Sequence, residues 1–204
     1  MRLEVTLMNK DILVCGVGGQ GTVLASKLIA SAAMNLGNTV HSAETIGMAQ
    51  RGGSVTSHIR IGEQAYSPMI PHGSADVLLA FEPAEAVRNL AYLKQDGIVI
   101  VNSVPVKPVT ESLHDTGYDG SDMLTYLQKK CQCIIVDAKK LCADFGSTRY
   151  FNVAILGVAI GTGRLGLDAK TVLNEIEARV PAKFAETNKA AFLAGVNIGE
   201  TTLS

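Results

Sequence analysis

The stretch DILVCGVGGQG, residues 11–21, decides the fold because it places a short apolar segment directly before a cluster of glycines. Residues 11–15 predict a buried β-strand, and the residues that follow Gly21 carry apolar side chains at helical spacing as far as Leu36. Gly16, Gly18 and Gly21 have the spacing G-x-G-x-x-G, in which glycine permits a tight turn and close approach of the backbone to a ligand. The sequence therefore predicts a strand, a glycine turn and a helix.

The glycine turn is suited to an anionic group. Free backbone N–H groups are expected from Gly19 to Thr22, with the positive end of the helix dipole behind them. A glycine turn can also serve only the packing of a strand against a helix, and that alternative stays open. The candidate ligand-binding residues of this segment are Gly16, Gly18, Gly19, Gln20, Gly21 and Thr22.

Strand and helix patterns alternate along the chain, which is typical of a parallel sheet. We predict an α/β fold that is Rossmann-like and doubly wound, with a mostly parallel sheet and a helical C-terminal portion over about 150–204. One domain, 1–204, is expected. Strands are predicted over residues 11–15, 38–42, 54–61, 75–81, 97–101 and 133–137, and helices over 21–36, from 83 onward, 122–130, up to 142, 153–160, 170–178 and 181–195.

Composition excludes several classes of function. The chain has 204 residues, 47% of them hydrophobic, a formal net charge of -1 and no Trp. Scattered basic residues and few aromatic residues argue against nucleic-acid binding. No stretch is long and apolar enough for a membrane span, and the first ten residues lack the apolar middle of a signal peptide, so we expect a cytoplasmic protein.

Four cysteines are present, and their spacing matches neither a zinc site nor an iron-sulfur cluster. We therefore expect no metal site and interpret them as small buried apolar residues. They are Cys15, Cys131, Cys133 and Cys142.

A second distinctive segment is AETIGMAQRGG, residues 43–53. We expect a polar loop over 44–53 at the carboxyl edge of the sheet, on the same side as the glycine turn. Glu44 lies where a dinucleotide-binding protein has its ribose-binding carboxylate. Arg51, followed by Gly52 and Gly53, suits a clamp for phosphate or carboxylate, a turn that docks against a partner chain, or a solvated arginine in a flexible loop. The apolar Ile46 and Met48 would suit a subunit interface.

No catalytic acid or base is assigned, because the four histidines are scattered and have no motif around them. His58 has the most distinctive position. It shares one face of the predicted strand 54–61 with Thr56 and Arg60, and this face is expected to look into a cleft or into solvent. The other histidines are His41, His72 and His114.

The pairing of GVGGQG at 16–21 with AQRGGS at 49–54 resembles the gamma domain of 2-oxoacid:ferredoxin oxidoreductases, and within that family most closely the beta subunit of the indolepyruvate enzymes. The wider segment 44–55 also resembles it. The resemblance covers about residues 9–195 and extends to the segments 66–68, 75–79 and 81–83 and to Asn102.

This resemblance implies one subunit of an enzyme that oxidatively decarboxylates a 2-oxoacid, such as indolepyruvate or another aryl 2-oxoacid, to an acyl-CoA while reducing ferredoxin. It implies a large alpha subunit that carries thiamine diphosphate, Mg and 4Fe-4S clusters, with ferredoxin reached through the complex. No tightly bound cofactor is expected on this chain. Coenzyme A at the glycine turn is possible, and the chain alone is expected to form a homodimer.

Two other hypotheses remain open. The glycine spacing and Glu44 also fit a stand-alone NAD-dependent oxidoreductase, although no substrate domain with a catalytic pattern is recognisable. A nucleotide- or CoA-binding regulatory module would use the same glycine turn without a partner subunit.

Overall fold

The apolar segments of the chain become the strands of a sheet. In the computed structural model, residues 8–46, 52–63, 65–107 and 117–202 are described, with Ile46 described by its backbone only. Within these residues a six-stranded sheet has the order β2-β3-β1-β4-β5-β6. The strands are β1 (Lys10–Val17), β2 (Val40–Ile46), β3 (Ser54–Ile61), β4 (Ala75–Ala80), β5 (Leu93–Asn102) and β6 (Gln132–Val136).

The predicted mostly parallel sheet is confirmed. β1 pairs with β4, β4 with β5 and β5 with β6, all in parallel, whereas β3 runs antiparallel to both β1 and β2. Five of the six strands therefore point the same way. The insertion of β3 between β1 and β2 separates these two strands, which would be neighbours in the usual order of a dinucleotide-binding sheet.

The boundary of the second strand was predicted too early. A strand over 38–42 followed by a loop from Glu44 was expected, but β2 continues through Glu44 to Ile46. The reason is its pairing with β3, in which Glu44 lies opposite Ser57 and Ile46 opposite Val55. The backbone hydrogen bonds of this ladder outweigh the weak strand preference of a polar sequence.

Helices cover both faces of the sheet, as the doubly wound prediction requires. One apolar cluster joins a sheet face to α1, α5, α6 and α7, and a second joins the other face to α2 and α3. Among the described residues, no helix combines the length and apolar character needed to cross a bilayer. The helices are α1 (Thr22–Asn35), α2 (Pro83–Arg88), α3 (Ser121–Lys130), α4 (Ala138–Leu141), α5 (Phe151–Gly161), α6 (Ala169–Arg179) and α7 (Ala182–Thr202).

The helical C-terminal portion is built around α5, which is buried on nearly every side. Its packing against α7 depends on glycine, because a Cβ at Gly157 would lie 2.1 Å from the carbonyl oxygen of Phe192, and one at Gly195 would lie 2.0 Å from that of Ala154. Backbone approach at this distance is open only to glycine. Since α7 continues to Thr202, it is longer than the predicted helix over 181–195.

The strand β3 is more buried than its alternating sequence suggested. His58, expected on a face that looks into a cleft or solvent, is 2% exposed. Its Nδ1 accepts a hydrogen bond from the amide of Ile70 at 3.2 Å, and its ring meets that of Tyr92 edge-on. Burial lowers the pKa of His58. The expectation was therefore wrong at His58, which the segment after β3 covers, whereas Thr56 and Arg60 on the same face are half-buried and Arg60 lines a cleft of 350 Å³.

The helices after β1 and β4 leave the sheet on opposite faces, since α1 belongs to one apolar cluster and α2 to the other. The carboxyl ends of β1 and β4 therefore form a topological switch point. In open α/β sheets, ligands bind in the crevice outside the strands at such a point. The fold directs attention to the segments that follow these two strands.

Candidate functional site

The two glycine segments meet at the carboxyl edge of the sheet. The amide of Gly18 donates to the carbonyl of Gly53 at 2.8 Å, and the amide of Gly52 reaches the carbonyl of Gly18 at 3.5 Å. These bonds continue the β1–β3 ladder, in which Val17 lies opposite Ser54. The glycine turn and the segment after Arg51 are thus one structural unit.

Two amide side chains fasten the glycine turn to the neighbouring strand ends. Gln20 accepts the amide of Val17 at 2.8 Å through Oε1 and donates to the carbonyl of Phe81 at 2.9 Å through Nε2. Asn102, at the end of β5, donates to the same carbonyl at 3.1 Å. The side chain of Gln20, predicted as a ligand contact, is therefore committed to holding the ends of β1, β4 and β5 together.

The glycines of the turn have different surroundings. A Cβ at Gly16 would lie 2.7 Å from Oε1 of Gln20 and 2.9 Å from Cγ2 of Thr22, so Gly16 serves close packing. A Cβ at Gly21 would lie 2.5 Å from Nδ2 of Asn152, whereas one at Gly19 would meet nothing within 4 Å. Gly19, with a φ of +97°, is the open point of the turn.

The side of the turn that faces α5 forms a cleft of 430 Å³, which we call the basic cleft. Its wall opposite the glycines carries two exposed cations, Lys139 at the start of α4 and Arg149 just before α5. In the described part of the chain, neither side chain forms an ion pair or a hydrogen bond. The basic cleft is lined by Gly19, Gln20, Gly21, Asn102, Val104, Val106, Ala138, Lys139, Thr148, Arg149, Phe151 and Asn152.

Local sequence explains why these groups converge. Asp137 caps α4 by accepting the amides of Lys139 and Lys140 at 2.8 and 3.0 Å, which sets the helix at the end of β6. The ring of Phe151 packs edge-on against that of Phe81, with 6.2 Å between centroids. This contact brings the first turn of α5 against the glycine turn.

Backbone donors add to the positive charge of the basic cleft. Within the described residues, the amides of Gly19, Gly21 and Thr22 have no hydrogen-bond partner, whereas the amide of Gly18 is used by Gly53. Thr22 is buried and does not line the basic cleft, so Gly19 and Gly21 are the residues that offer free amides there. Two free amides at the start of α1, a 14-residue helix, and two cations make a site for an anion such as phosphate.

On the opposite face of the sheet, the same edge forms a smaller pocket of 160 Å³, which we call the acidic pocket. Its floor carries Glu82 and Glu85, each 2% exposed. Glu82 caps α2 by accepting the amide of Glu85 at 3.0 Å, and it accepts the hydroxyl of Tyr118 at 2.5 Å. Burial, reinforced by Glu82, raises the pKa of Tyr118, which therefore stays a hydrogen-bond donor.

Glu85 connects the acidic pocket to the second glycine segment. It accepts the hydroxyl of Ser54 at 2.6 Å and forms an ion pair with Arg88. Cys15 lies close by and is fully buried; burial and then the charges of Glu85 and Glu82 raise the pKa of its thiol. The thiol is therefore protonated and unsuited to act as a nucleophile.

The remaining predicted residues lie away from the basic cleft or outside the described residues. Glu44 is on the edge strand β2, with β3 between it and β1, and it accepts the hydroxyl of Ser26 at 3.3 Å. Two strand spacings are about 10 Å, so Glu44 does not line the basic cleft. Gly52 lines the acidic pocket. Arg51, Met48 and His114, as well as the side chain of Ile46, lie outside the described residues.

Four polar residues of the basic cleft were missed by sequence reasoning, namely Lys139, Thr148, Arg149 and Asn152. A usable signal was present at Lys139, because it follows the strand ending at Val136 and so belongs to the carboxyl edge of the sheet. Thr148, Arg149 and Asn152 had no comparable signal, since they lie in or directly after a run of short turns.

The described residues show no metal centre. No group of three or more His, Cys, Asp or Glu side chains in them is arranged to hold a metal ion. Cys15 and Cys142 are buried in different apolar clusters, which separates them.

Comparison with known proteins connects this geometry to a family. The family described as pyruvate ferredoxin/flavodoxin oxidoreductase matches residues 11–198. The chain is also similar to indolepyruvate oxidoreductase subunit IorB of Pyrococcus horikoshii, with 36% identity over 197 residues, covering 95% of this chain and 98% of that protein.

Solved structures share the fold. The gamma subunit of a keto/oxoacid ferredoxin oxidoreductase from Geobacter sulfurreducens superposes with a TM-score of 0.71 at 24% identity, covering 94% of this chain and 99% of that one. The 2-oxoglutarate:ferredoxin oxidoreductase of Magnetococcus marinus, solved with 2-oxoglutarate, coenzyme A and succinyl-CoA bound, gives a TM-score of 0.66 at 19% identity. That match covers 95% of this chain and 31% of the larger one.

Proposed function

The chain belongs to the pyruvate ferredoxin/flavodoxin oxidoreductase family, as a small subunit of a 2-oxoacid:ferredoxin oxidoreductase, and from this premise we propose that its complex oxidises indolepyruvate or a related aryl 2-oxoacid. The reaction consumes the 2-oxoacid, coenzyme A and two oxidised ferredoxins. It yields an acyl-CoA, carbon dioxide, two reduced ferredoxins and a proton. The similarity to the IorB subunit supports this choice of substrate.

We assign the chemistry at the 2-oxoacid to a larger partner subunit, which would carry thiamine diphosphate, Mg and 4Fe-4S clusters and pass electrons to ferredoxin. The described residues of this chain offer no cysteine cluster or metal site that would fit these groups, so we derive no step through them here. Outside the complex, we propose that the small subunit forms a homodimer.

The role that we propose for this chain is to hold coenzyme A by its phosphates. The observation that carries this proposal is the basic cleft, where the exposed cations Lys139 and Arg149 face the free amides at Gly19 and Gly21. Charge-assisted hydrogen bonds to phosphate are the strong ones. Coenzyme A in the Magnetococcus marinus enzyme, which shares the fold, also supports the choice of ligand.

The polar groups of the basic cleft lie around the open turn, where they suit the phosphates of the ligand. Asn152 adds an amide beside Gly21. Arg51 remains a further candidate for a phosphate or for a carboxylate of the partner, as its sequence position predicts. The family assignment favours this subunit role over a stand-alone NAD-dependent oxidoreductase or a regulatory module, and the position of Glu44 two strands from β1 gives no support to a ribose site.

The test is co-expression of this chain with a large subunit that bears thiamine and cluster motifs, followed by an assay of CoA-dependent ferredoxin reduction. We expect activity with indolepyruvate only when both chains are present. Lys139→Ala and Arg149→Ala should each raise the KM for coenzyme A about tenfold, which corresponds to about 1.4 kcal/mol. Lys140→Ala is the matched control, because Lys140 is the exposed neighbour in α4 and does not line the basic cleft.

The same material separates the alternatives. Equal effects of Lys139→Ala and Lys140→Ala on the KM would refute the basic cleft as the coenzyme A site. Activity of the lone chain with NAD, and none with coenzyme A in any complex, would refute the subunit proposal as a whole.

A further inference from the structure

The geometry points to Glu85 as a positioning residue that holds the glycine turn in shape for coenzyme A by way of Ser54. This inference rests on the proposed function, since it names what keeps the coenzyme A contact in place. Glu85 touches no ligand in this scheme. It acts from the acidic pocket, on the opposite face of the sheet from the basic cleft.

The first step is the contact between Glu85 and Ser54. Oε2 of Glu85 accepts the Ser54 hydroxyl at 2.6 Å, while Oε1 is paired with Arg88. The Glu85 side chain is 3% exposed and Arg88 68% exposed. The exposed Arg88 thus fixes one oxygen of the Glu85 carboxylate, and the other oxygen accepts the hydroxyl of Ser54, the first residue of β3.

The second step is the backbone link from Ser54 to the turn. Gly53 precedes Ser54 and accepts the amide of Gly18 at 2.8 Å, and Gly18 directly precedes Gly19 at the open point of the basic cleft. Gly52 and Gly53 have no side chain to anchor this segment. The β1–β3 ladder sets the register of Gly53 against Gly18, and the bond of the Ser54 hydroxyl to Glu85 is the first side-chain anchor that holds this end of the ladder in place.

The third step is the position of Glu85 itself, which is fixed on two sides. Its amide donates to Glu82, and Glu82 is held by the Tyr118 hydroxyl at 2.5 Å. Burying two carboxylates costs free energy unless hydrogen bonds compensate. An apolar residue at position 85 would fill the same volume without that cost but would leave Ser54 free. The buried carboxylate of Glu85 therefore serves to orient Ser54.

The experiment uses the complete complex and compares Glu85→Gln and Ser54→Ala with a matched control, Glu175→Gln. Glu175 is also buried, and it pairs with Arg179 in the same helix and with Asn35. Asn35 ends α1, about 20 Å along the helix from the glycine turn. Ser54→Thr keeps the hydroxyl and serves as the conservative variant.

Two readouts are measured. The first is the KM for coenzyme A, which should rise about 3- to 10-fold in Glu85→Gln and Ser54→Ala, with kcat within about twofold of wild type. The second is hydrogen exchange of the peptide spanning the turn without coenzyme A, which should be about tenfold faster in both variants. Ser54→Thr and Glu175→Gln should leave both readouts at wild-type values.

The outcomes are separable from those of the proposed function. Faster exchange at the turn in Glu85→Gln but not in Glu175→Gln supports the positioning role even if the complex uses a ligand other than coenzyme A. Unchanged exchange and an unchanged KM in Glu85→Gln overturn it, whatever the result for Lys139→Ala. Glu85→Gln and Glu175→Gln could also lower the melting temperature equally and give the same KM and the same exchange rate. That result would show that Glu85 has a role in stability alone, and it would overturn the inference.

Discussion

Replacement of Gly19 by alanine separates ligand contact from backbone strain. Gly19 lines the basic cleft with a φ of +97°, and a Cβ there would meet no protein atom within 4 Å. The new methyl group therefore clashes with nothing in the free chain. It would lie where we place a phosphate of coenzyme A, against the free amides of the turn.

The magnitude follows from two separate costs. Alanine at positive φ costs about 1–2 kcal/mol in the folded chain, and 1 kcal/mol lowers the melting temperature of a chain of this size by about 2–4 °C. A methyl group forced between the phosphate and its donors costs about 1–3 kcal/mol more, or about 5- to 150-fold in the KM for coenzyme A.

Gly73→Ala is the matched control, because Gly73 has a φ of +70° and an equally open Cβ position. It lies before β4, at the amino edge of the sheet. Thermal unfolding and steady-state kinetics of the complex measure both costs. We expect similar melting temperatures for the two variants and a raised KM for coenzyme A in Gly19→Ala alone. Similar KM values for the two variants would refute contact between coenzyme A and the glycine turn.

Three further predictions concern the chain itself. Gly195→Ala should lower the free energy of unfolding by about 3 kcal/mol in urea denaturation, because its Cβ would lie 2.0 Å from the carbonyl oxygen of Ala154; a loss below 1 kcal/mol would contradict the packing of α5 on α7. Burial lowers the pKa of His58, so its contribution to stability is complete above the ordinary value near 6.5 and is lost as the pH falls through the lower folded value. Melting temperatures at several pH values should therefore fall less steeply below pH 6.5 in His58→Asn than in wild type, and parallel slopes would contradict this. Burial raises the pKa of Cys133 to about 12 and that of Cys142 to about 11, so alkylation at pH 8 should be about 100-fold slower in the native chain than in urea, and equal rates would show that these thiols are exposed.

Local sequence was sufficient for the elements that begin with a strong signal. The strand and helix on either side of the glycine turn were predicted to within a few residues, and α2 begins at Pro83 as expected, with Glu82 as its cap. The antiparallel strand β3 could not be placed, because periodicity describes one strand and says nothing about its neighbours. Its position between β1 and β2 depends on pairing across the sheet, and that pairing also extended β2 to Ile46.

Prediction of the site was likewise limited by contacts between residues that are distant in sequence. The glycine turn was found because its chemistry is contiguous in sequence. Lys139 and Arg149 reach the basic cleft only because β6 lies beside β5 and because Phe151 packs on Phe81. These are contacts between residues far apart in the chain, and a single sequence gives no direct sign of them. Glu85 was visible as an acidic residue in the first turn of a helix, but its bond to Ser54 was not.

Both pockets lie at the switch point, and the pairing of Gly18 with Gly53 joins the glycine turn of the basic cleft to the Ser54 segment of the acidic pocket. An anion bound over Gly19 would face the cations of the basic cleft. The carboxylates of the acidic pocket accept hydrogen bonds from Ser54 and Tyr118 and pair with Arg88. The cation of Arg88 offsets the charge of Glu85, and the hydroxyl donors stabilise both carboxylates, which limits repulsion of the anion. The carboxylates can therefore orient the glycine turn without opposing the anion that we propose it binds.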